Sequence, residues 1–199
     1  MEITTEHIRD LREKTGCGMM DCKAALSEAK GNFDQAIDIL RKKGIASVAR
    51  RAGRVAAEGL VDAYIHIGGK IGVLVEVNCE SDFVSRSTDF QAFVKDLCLQ
   101  IAAANPQYIT KDDVPDGIIE HEKEIISGQA QSEGKPEKAI EKIVEGRLQK
   151  FFSEVCLLEQ PFIRDQNKNI NDLLGELSAK IGENIVIRRF VRFQLGEKS

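Results

Sequence analysis

The apolar positions along this chain change period near residue 60, and that change divides the chain. Up to residue 43 they recur every three or four positions, the spacing of helices with one buried stripe. Thr4 or Thr5 caps a first helix, Glu6 sits favourably in its first turn, Ile8 and Leu11 form the stripe, and Gly16 stops it. Met19, Cys22, Leu26 and Ala29 mark a second helix that ends at Gly31. Asn32, with Gln35 three residues on, opens a third in which Phe33, Ala36, Ile37 and Leu40 share a face and which Gly44 ends. From Leu60 the period is two: Val61, Ala63, Ile65 and Ile67 alternate with Asp62, Tyr64 and His66. Gly68-Gly69 predicts a two-residue hairpin turn into a second, half-buried strand carrying Ile71, Val73, Val75, Val77 and Cys79 on one side.

Helical spacing then returns. Thr88 with Gln91 reads as a capping box, followed by Phe90, Phe93 or Val94, Leu97, Ile101 and Ala104 at helical intervals up to Asn105-Pro106. Two charged helices, Pro115–Gln131 and Pro136–Phe152, flank Ser132-Glu133-Gly134-Lys135 and predict an exposed helical hairpin over about 115–152. Residues 151–164 read as irregular and extended, and Asn169 caps a short helix that Gly182 stops. Ile185–Leu195 predicts a third strand, with Ile185, Ile187, Val191, Phe193 and Leu195 on the apolar face and Arg188, Arg192 and Gln194 on the solvated one. The expected fold class is α+β: a three-helix domain at 1–43, a basic linker at 44–58, and a core at 59–199. That core is an antiparallel three-stranded sheet with helices on one face, plus the hairpin.

Composition narrows the function. Of 199 residues, 42% are hydrophobic and 30% charged, which suits a water-soluble chain with a core. No apolar run approaches the ~18 residues of a membrane helix, and Met1–Glu6 does not resemble a signal or transit peptide. Five cysteines, without paired C-x-x-C spacing, point to a reducing, cytoplasmic setting and to core filling. Residues 1–56 carry 11 basic and 8 acidic side chains and the remainder 17 and 24, so the chain lacks the overall basicity of a strong nucleic-acid binder. The basic stretch around Arg50, Arg51 and Arg54 reads either as a solvated linker or as an attraction to RNA or an acidic surface. His7, His66 and His121 are scattered, no phosphate-cradling G-x-x-x-x-G-K-[ST] loop occurs, and no catalytic constellation emerges. No enzyme activity, cofactor or metal is expected.

One stretch concentrates unusual residues. Asn78-Cys79-Glu80-Ser81-Asp82-Phe83-Val84-Ser85-Arg86 joins the second strand to the helix after it, a place where scaffolds present residues to partners. Phe83 there either folds back into the core or projects as an apolar anchor. Seven residues on, Thr88-Asp89-Phe90 spells a similar triplet, but its flanks place it inside a helix. Adjacent Met19 and Met20 pose a parallel question, since neighbouring positions on one helix do not both face inward easily.

Asn78–Arg86 matches N-C-x-[ST]-D-F-V-x-[KR], and so resembles the signature of the elongation factor Ts family, guanine-nucleotide exchange factors for elongation factor Tu. A second resemblance is Leu11-Arg12-Glu13-Lys14-Thr15-Gly16-Cys17-Gly18-Met19-Met20-Asp21-Cys22-Lys23-Ala24-Ala25-Leu26. Gly134-Lys135-Pro136, Val144–Arg147, Gln160-Pro161-Phe162 and Ile181-Gly182-Glu183-Asn184-Ile185 resemble the family too. The resemblance implies that the N-terminal bundle is ubiquitin-associated-like (UBA-like), without implying ubiquitin binding. It implies two grips on elongation factor Tu. Leu11, Arg12, Met19 and Met20 would dock on the nucleotide-binding domain. Ser81, Asp82, Phe83 and Val84 would form the tip that dislodges Mg²⁺ and so promotes GDP release. It further implies a homodimer, because longer relatives carry two copies of the sheet unit and this chain one. The competing expectation is an RNA- or ribosome-associated protein using the basic linker, although no stable nucleic-acid binding is expected.

Overall fold

The computed structural model describes residues 3–15, 17–51 and 53–197. In chain order the helices α1 (Thr5–Thr15), α2 (Met19–Glu28) and α3 (Phe33–Arg51) are followed by strands β1 (Glu58–Ile65) and β2 (Ile71–Cys79). Next come α4 (Asp82–Ser85), α5 (Thr88–Ala104), α6 (Asp116–Ser132) and α7 (Glu137–Val155). The chain closes with β3 (Pro161–Phe162), β4 (Asp165–Asn169), α8 (Ile170–Ile181) and β5 (Val186–Gln194). The main sheet has the order β1-β2-β5 and is antiparallel, and β3 pairs with β4 in a small second sheet. Helices and strands are mixed as expected of an α+β chain.

Local chemistry accounts for most helix starts. The Thr4 hydroxyl accepts from His7 N–H at 3.3 Å, and Asn32 Oδ1 accepts from Gln35 N–H at 3.0 Å, satisfying first-turn donors. At α8 the exchange is reciprocal: Asp172 N–H donates to Asn169 Oδ1 at 2.7 Å and Asn169 N–H to Asp172 Oδ2 at 3.1 Å. The cap of α5 is Ser87, whose hydroxyl accepts from Phe90 N–H at 3.3 Å; Thr88, expected to be the cap, is the first helical residue. The expected stop of α1 at Gly16 lies outside the described residues.

Contacts gather the chain into two compact units. One comprises residues up to Leu60 with Val77–Phe93 and Leu173–Arg188. Here α1, α2 and α3 close over Ile8, Leu11, Cys22, Ala25, Leu26, Ala36 and Leu40. Helix α3 does not end at Gly44 but continues to Arg51. A glycine inside a helix costs only about 1 kcal/mol relative to alanine, and no proline follows to break the turn. The first part of the expected linker is therefore helix. At the start of β1, Gly59 has φ +150°, and a Cβ there would lie 2.2 Å from the Val77 carbonyl oxygen, so close strand approach requires glycine.

The second unit comprises Val61–Glu76, Val94–Asp172 and the chain from Arg189 onward. Helices α6 and α7 form the expected hairpin, fastened near its turn by Arg147, which donates to Glu133 at 3.1 Å and Gln129 at 3.0 Å. Buried Gln100 donates to Gln160 Oε1 at 3.1 Å and accepts from Ile163 N–H at 2.9 Å, so its amide holds the Gln160-Pro161-Phe162 segment. The β1–β2 turn is longer than the two residues expected: His66 N–H donates to Ile71 O, closing a loop over Ile67–Lys70 with positive φ at both Gly68 and Gly69.

The sheet also differs from expectation in which side is covered. Val73, Val75, Val77 and Cys79 of β2 are buried, as the alternation requires. In β1, however, Val61 and Ile65 are exposed while Asp62 and Tyr64 are half-buried. In β5 the parity switches along the strand: Ile187 is buried, then Phe190 and Arg192 turn to the covered side and Val191 and Phe193 to solvent. On the covered side the Arg192 guanidinium donates to the Ala102 carbonyl near the end of α5 at 3.4 Å and to Gln194 Oε1 at 2.8 Å, its stem lying over apolar surface. The exposed side of the sheet thus carries Val61, Ile65, Leu74, Val191 and Phe193.

Candidate functional site

The connection from β2 to α5 is a single helical turn mounted on hydrogen bonds. β2 ends at Cys79, and Ser81 takes an extended conformation (φ −130°, ψ 153°) that makes it the N-cap of α4. Its hydroxyl accepts from Val84 N–H at 3.4 Å and donates to Glu183 Oε1 at 2.6 Å. Glu183 Oε2 accepts both Glu80 N–H at 3.0 Å and Ser81 N–H at 3.1 Å. Glu80 returns the arrangement, its Oε1 accepting Asn184 N–H at 2.6 Å with the Arg54 guanidinium 3.5 Å away. Below the turn, Cys79 Sγ donates to Ser81 O at 3.1 Å. Burial, and secondarily the charge of Glu183, pushes that thiol's pKa up, so at neutral pH it is a protonated donor.

This mounting separates the four residues of the expected tip. Phe83 is 82% exposed, and Asp82 is exposed beside it, 2.9 Å from Arg86. Val84 is buried and pins the turn, and Ser81 is half-buried against Glu183. Leaving a phenylalanine ring in water forgoes about 1.5–3 kcal/mol of burial, so such a ring on a held turn is available to another molecule. In the similar triplet Phe90 is fully buried, as its helix setting predicts.

The N-terminal candidates separate likewise. Leu11 is fully buried in the three-helix core, whereas Arg12 is exposed. Met19 is 38% and Met20 74% exposed, because Cys22, Ala25 and Leu26 fill the inward positions of α2. Both methionines face out, with Arg12 also on the surface.

Glu80 lies within the Asn78–Arg86 stretch, but the roles of Glu183, Asn184 and Arg54 in holding this turn are not legible in the sequence. Glu183 and Asn184 lie in the Ile181–Ile185 motif, so a signal existed, but pairing them with residues some hundred positions earlier requires the fold. Cys98 and Cys156 are buried, with burial pushing their thiols up to about 11. Among the described residues no group of three or more His, Cys, Asp or Glu could hold a metal ion, and no helix is long and apolar enough to cross a membrane.

Comparison with known proteins gives the family of the chain. The family model described as Elongation factor TS matches residues 21–197. An elongation factor Ts from Thermoanaerobacter sp. (strain X514) is 62% identical, with 98% of this chain and 96% of that protein aligned. One from Caldanaerobacter subterraneus subsp. tengcongensis is also 62% identical, with 98% of each aligned. A third, from Moorella thermoacetica, is 57% identical over 98% of this chain and 96% of its own length. The chain belongs to the elongation factor Ts family.

Proposed function

We propose that the Asp82–Phe83 turn is the part of this protein that acts on its partner. As a member of the elongation factor Ts family the protein is a guanine-nucleotide exchange factor of translation elongation, not an enzyme, and its partner is elongation factor Tu. Phe83 enters an apolar pocket of that partner, and the accompanying shift dislodges Mg²⁺ and loosens GDP. The thermodynamics is linkage: a factor that binds the empty partner better than the GDP-bound one weakens GDP by the same ratio. Loss of the divalent ion removes the largest positive charge on the phosphates, so a small displacement has a large effect. The observation that carries the reading is the exposed Phe83 ring on a turn held by Glu183. Its test is GDP release from elongation factor Tu with the Phe83→Ala protein at saturation.

The three-helix bundle, UBA-like over residues 1–43, is the docking grip. Arg12, Met19 and Met20 supply its surface and Leu11 supports them from the core. Ser81 and Val84 serve the tip as its mounting. The protein works in the cytoplasm without stable nucleic-acid binding. Against an RNA-binding role for the basic stretch stands the engagement of two of its guanidinium groups: Arg51 donates to Ser178 O at 3.1 Å and Arg54 faces Glu80.

The protein also forms a homodimer through the exposed side of its sheet. Val61, Ile65, Leu74, Val191 and Phe193 together form an apolar face that a second copy covers through a two-fold contact. Phe193→Asp is expected to convert dimer to monomer in light scattering while leaving the fold intact. A wild-type protein that is strictly monomeric at working concentration and fully active would overturn this.

A further inference from the structure

We propose that Glu183 is a positioning residue for nucleotide exchange, holding the Phe83 turn in its working orientation from outside the contact with the partner. The inference rests on the reading of Phe83 as the acting residue. Three donors converge on one carboxylate: Glu80 N–H and Ser81 N–H on Oε2, and the Ser81 hydroxyl on Oε1. An ionised carboxylate accepts at both oxygens and offers no proton, so it suits three donors. A glutamine would present its NH₂ to at least one of them.

The carboxylate also sets the direction of the cap. By accepting a hydrogen bond from the Ser81 hydroxyl at 2.6 Å, Glu183 orients that hydroxyl so that a lone pair accepts from Val84 N–H, the bond that makes Ser81 the cap of α4. Four residues of helix have little stability of their own, so α4 depends on this mounting. The anchor is itself fixed. Ser178 Oγ donates to Glu183 O at 2.6 Å, and Arg51 at the end of α3 donates to Ser178 O. Asn184 N–H is held by Glu80 Oε1, and the Asn184 amide donates to Arg54 O at 2.8 Å. Residues 80–81 and 183–184 are thus locked in both directions. Such a lock reduces the orientations open to Phe83 before binding, and pre-organisation of this kind is realised as rate when the ring must arrive in one pose.

A double-mutant cycle in the full-length protein tests this. Stimulated GDP release from elongation factor Tu is measured against exchange-factor concentration for wild type, Glu183→Gln, Phe83→Ala and the double variant, with thermal unfolding of each. Glu183→Gln is expected to lower the maximal rate about tenfold with the half-saturating concentration changed by less than about threefold, since docking through the bundle is untouched. In the Phe83→Ala background the same change is expected to cost nothing further, because Glu183 acts only through that ring. If Glu183→Gln does not fold, Ser81→Ala, which removes the Oε1 partner, takes its place, with a loss of about threefold that likewise vanishes beside Phe83→Ala. Additive losses, a change confined to half-saturation, or an unchanged maximal rate would overturn the positioning role. A Phe83→Ala protein as fast as wild type would instead overturn the reading beneath it.

Discussion

Ser81-Asp82-Phe83 and Thr88-Asp89-Phe90 are nearly the same three letters, seven residues apart, and they end in opposite places. Each begins a helix, and each aspartate has a cationic partner: Arg86 at 2.9 Å for Asp82, Lys180 at 2.8 Å for Asp89. One register step separates them. Ser81 is itself the cap, which makes Phe83 the second helical residue; Ser87 caps the next helix, which makes Phe90 the third. A step of one residue turns a side chain by about 100° around the helix axis. Helix length completes the difference. α5 continues for 17 residues with Val94, Leu97 and Ile101 fully or almost fully buried, and that stripe carries Phe90 inward. α4 ends after four residues and has only Val84 to bury. A short motif therefore acquires its role from the cap before it and the stripe after it.

The comparison can be broken most forcefully at Phe90. Phe90→Ala is expected to cost about 3–5 kcal/mol of stability, the range for deleting a buried aromatic ring. Exchange per folded molecule is expected to stay near normal. Chemical denaturation read beside GDP release checks this, and a stable but inactive Phe90→Ala protein would move the acting residue to the second triplet. A smaller effect sharpens the contrast between acting and docking residues. Met20→Ala is expected to weaken complex formation by about 1 kcal/mol, below the hot-spot scale, and to leave maximal exchange intact. Titration to saturation separates the two quantities; a collapse of the maximal rate with affinity preserved would show that the bundle does more than dock.

Much of the fold was legible because its signals are local. Asn32 and Asn169 cap the helices they were expected to cap, and Pro115 and Pro136 stand immediately before α6 and α7. Where sequence reasoning failed, a distant group decided the outcome. In the second half of β5 the apolar side is not the covered one, for Arg192 lies on the covered side with bonds to Ala102 and Gln194; in β1 Val61 and Ile65 are exposed, and alternation alone does not say which side of a strand is covered. The β4 strand, Asp-Gln-Asn-Lys-Asn, has no apolar alternation to announce it. At the candidate site, the motif singles out the Ser81–Val84 turn, yet period alone leaves open whether Phe83 lies in the core or in solvent. Glu183 escaped because its partners are 102 and 103 residues away along the chain.

The central claim is that Phe83, and not its near-twin, drives exchange. Its most direct test is the rate of GDP release from elongation factor Tu at saturating wild type, Phe83→Ala and Phe90→Ala, each normalised to folded protein. Losing an anchor worth about 2 kcal/mol slows release about thirtyfold. The account predicts that loss for Phe83→Ala with an unchanged unfolding midpoint, and a near-normal rate for Phe90→Ala with a lowered one. Equal rates for wild type and Phe83→Ala would contradict it.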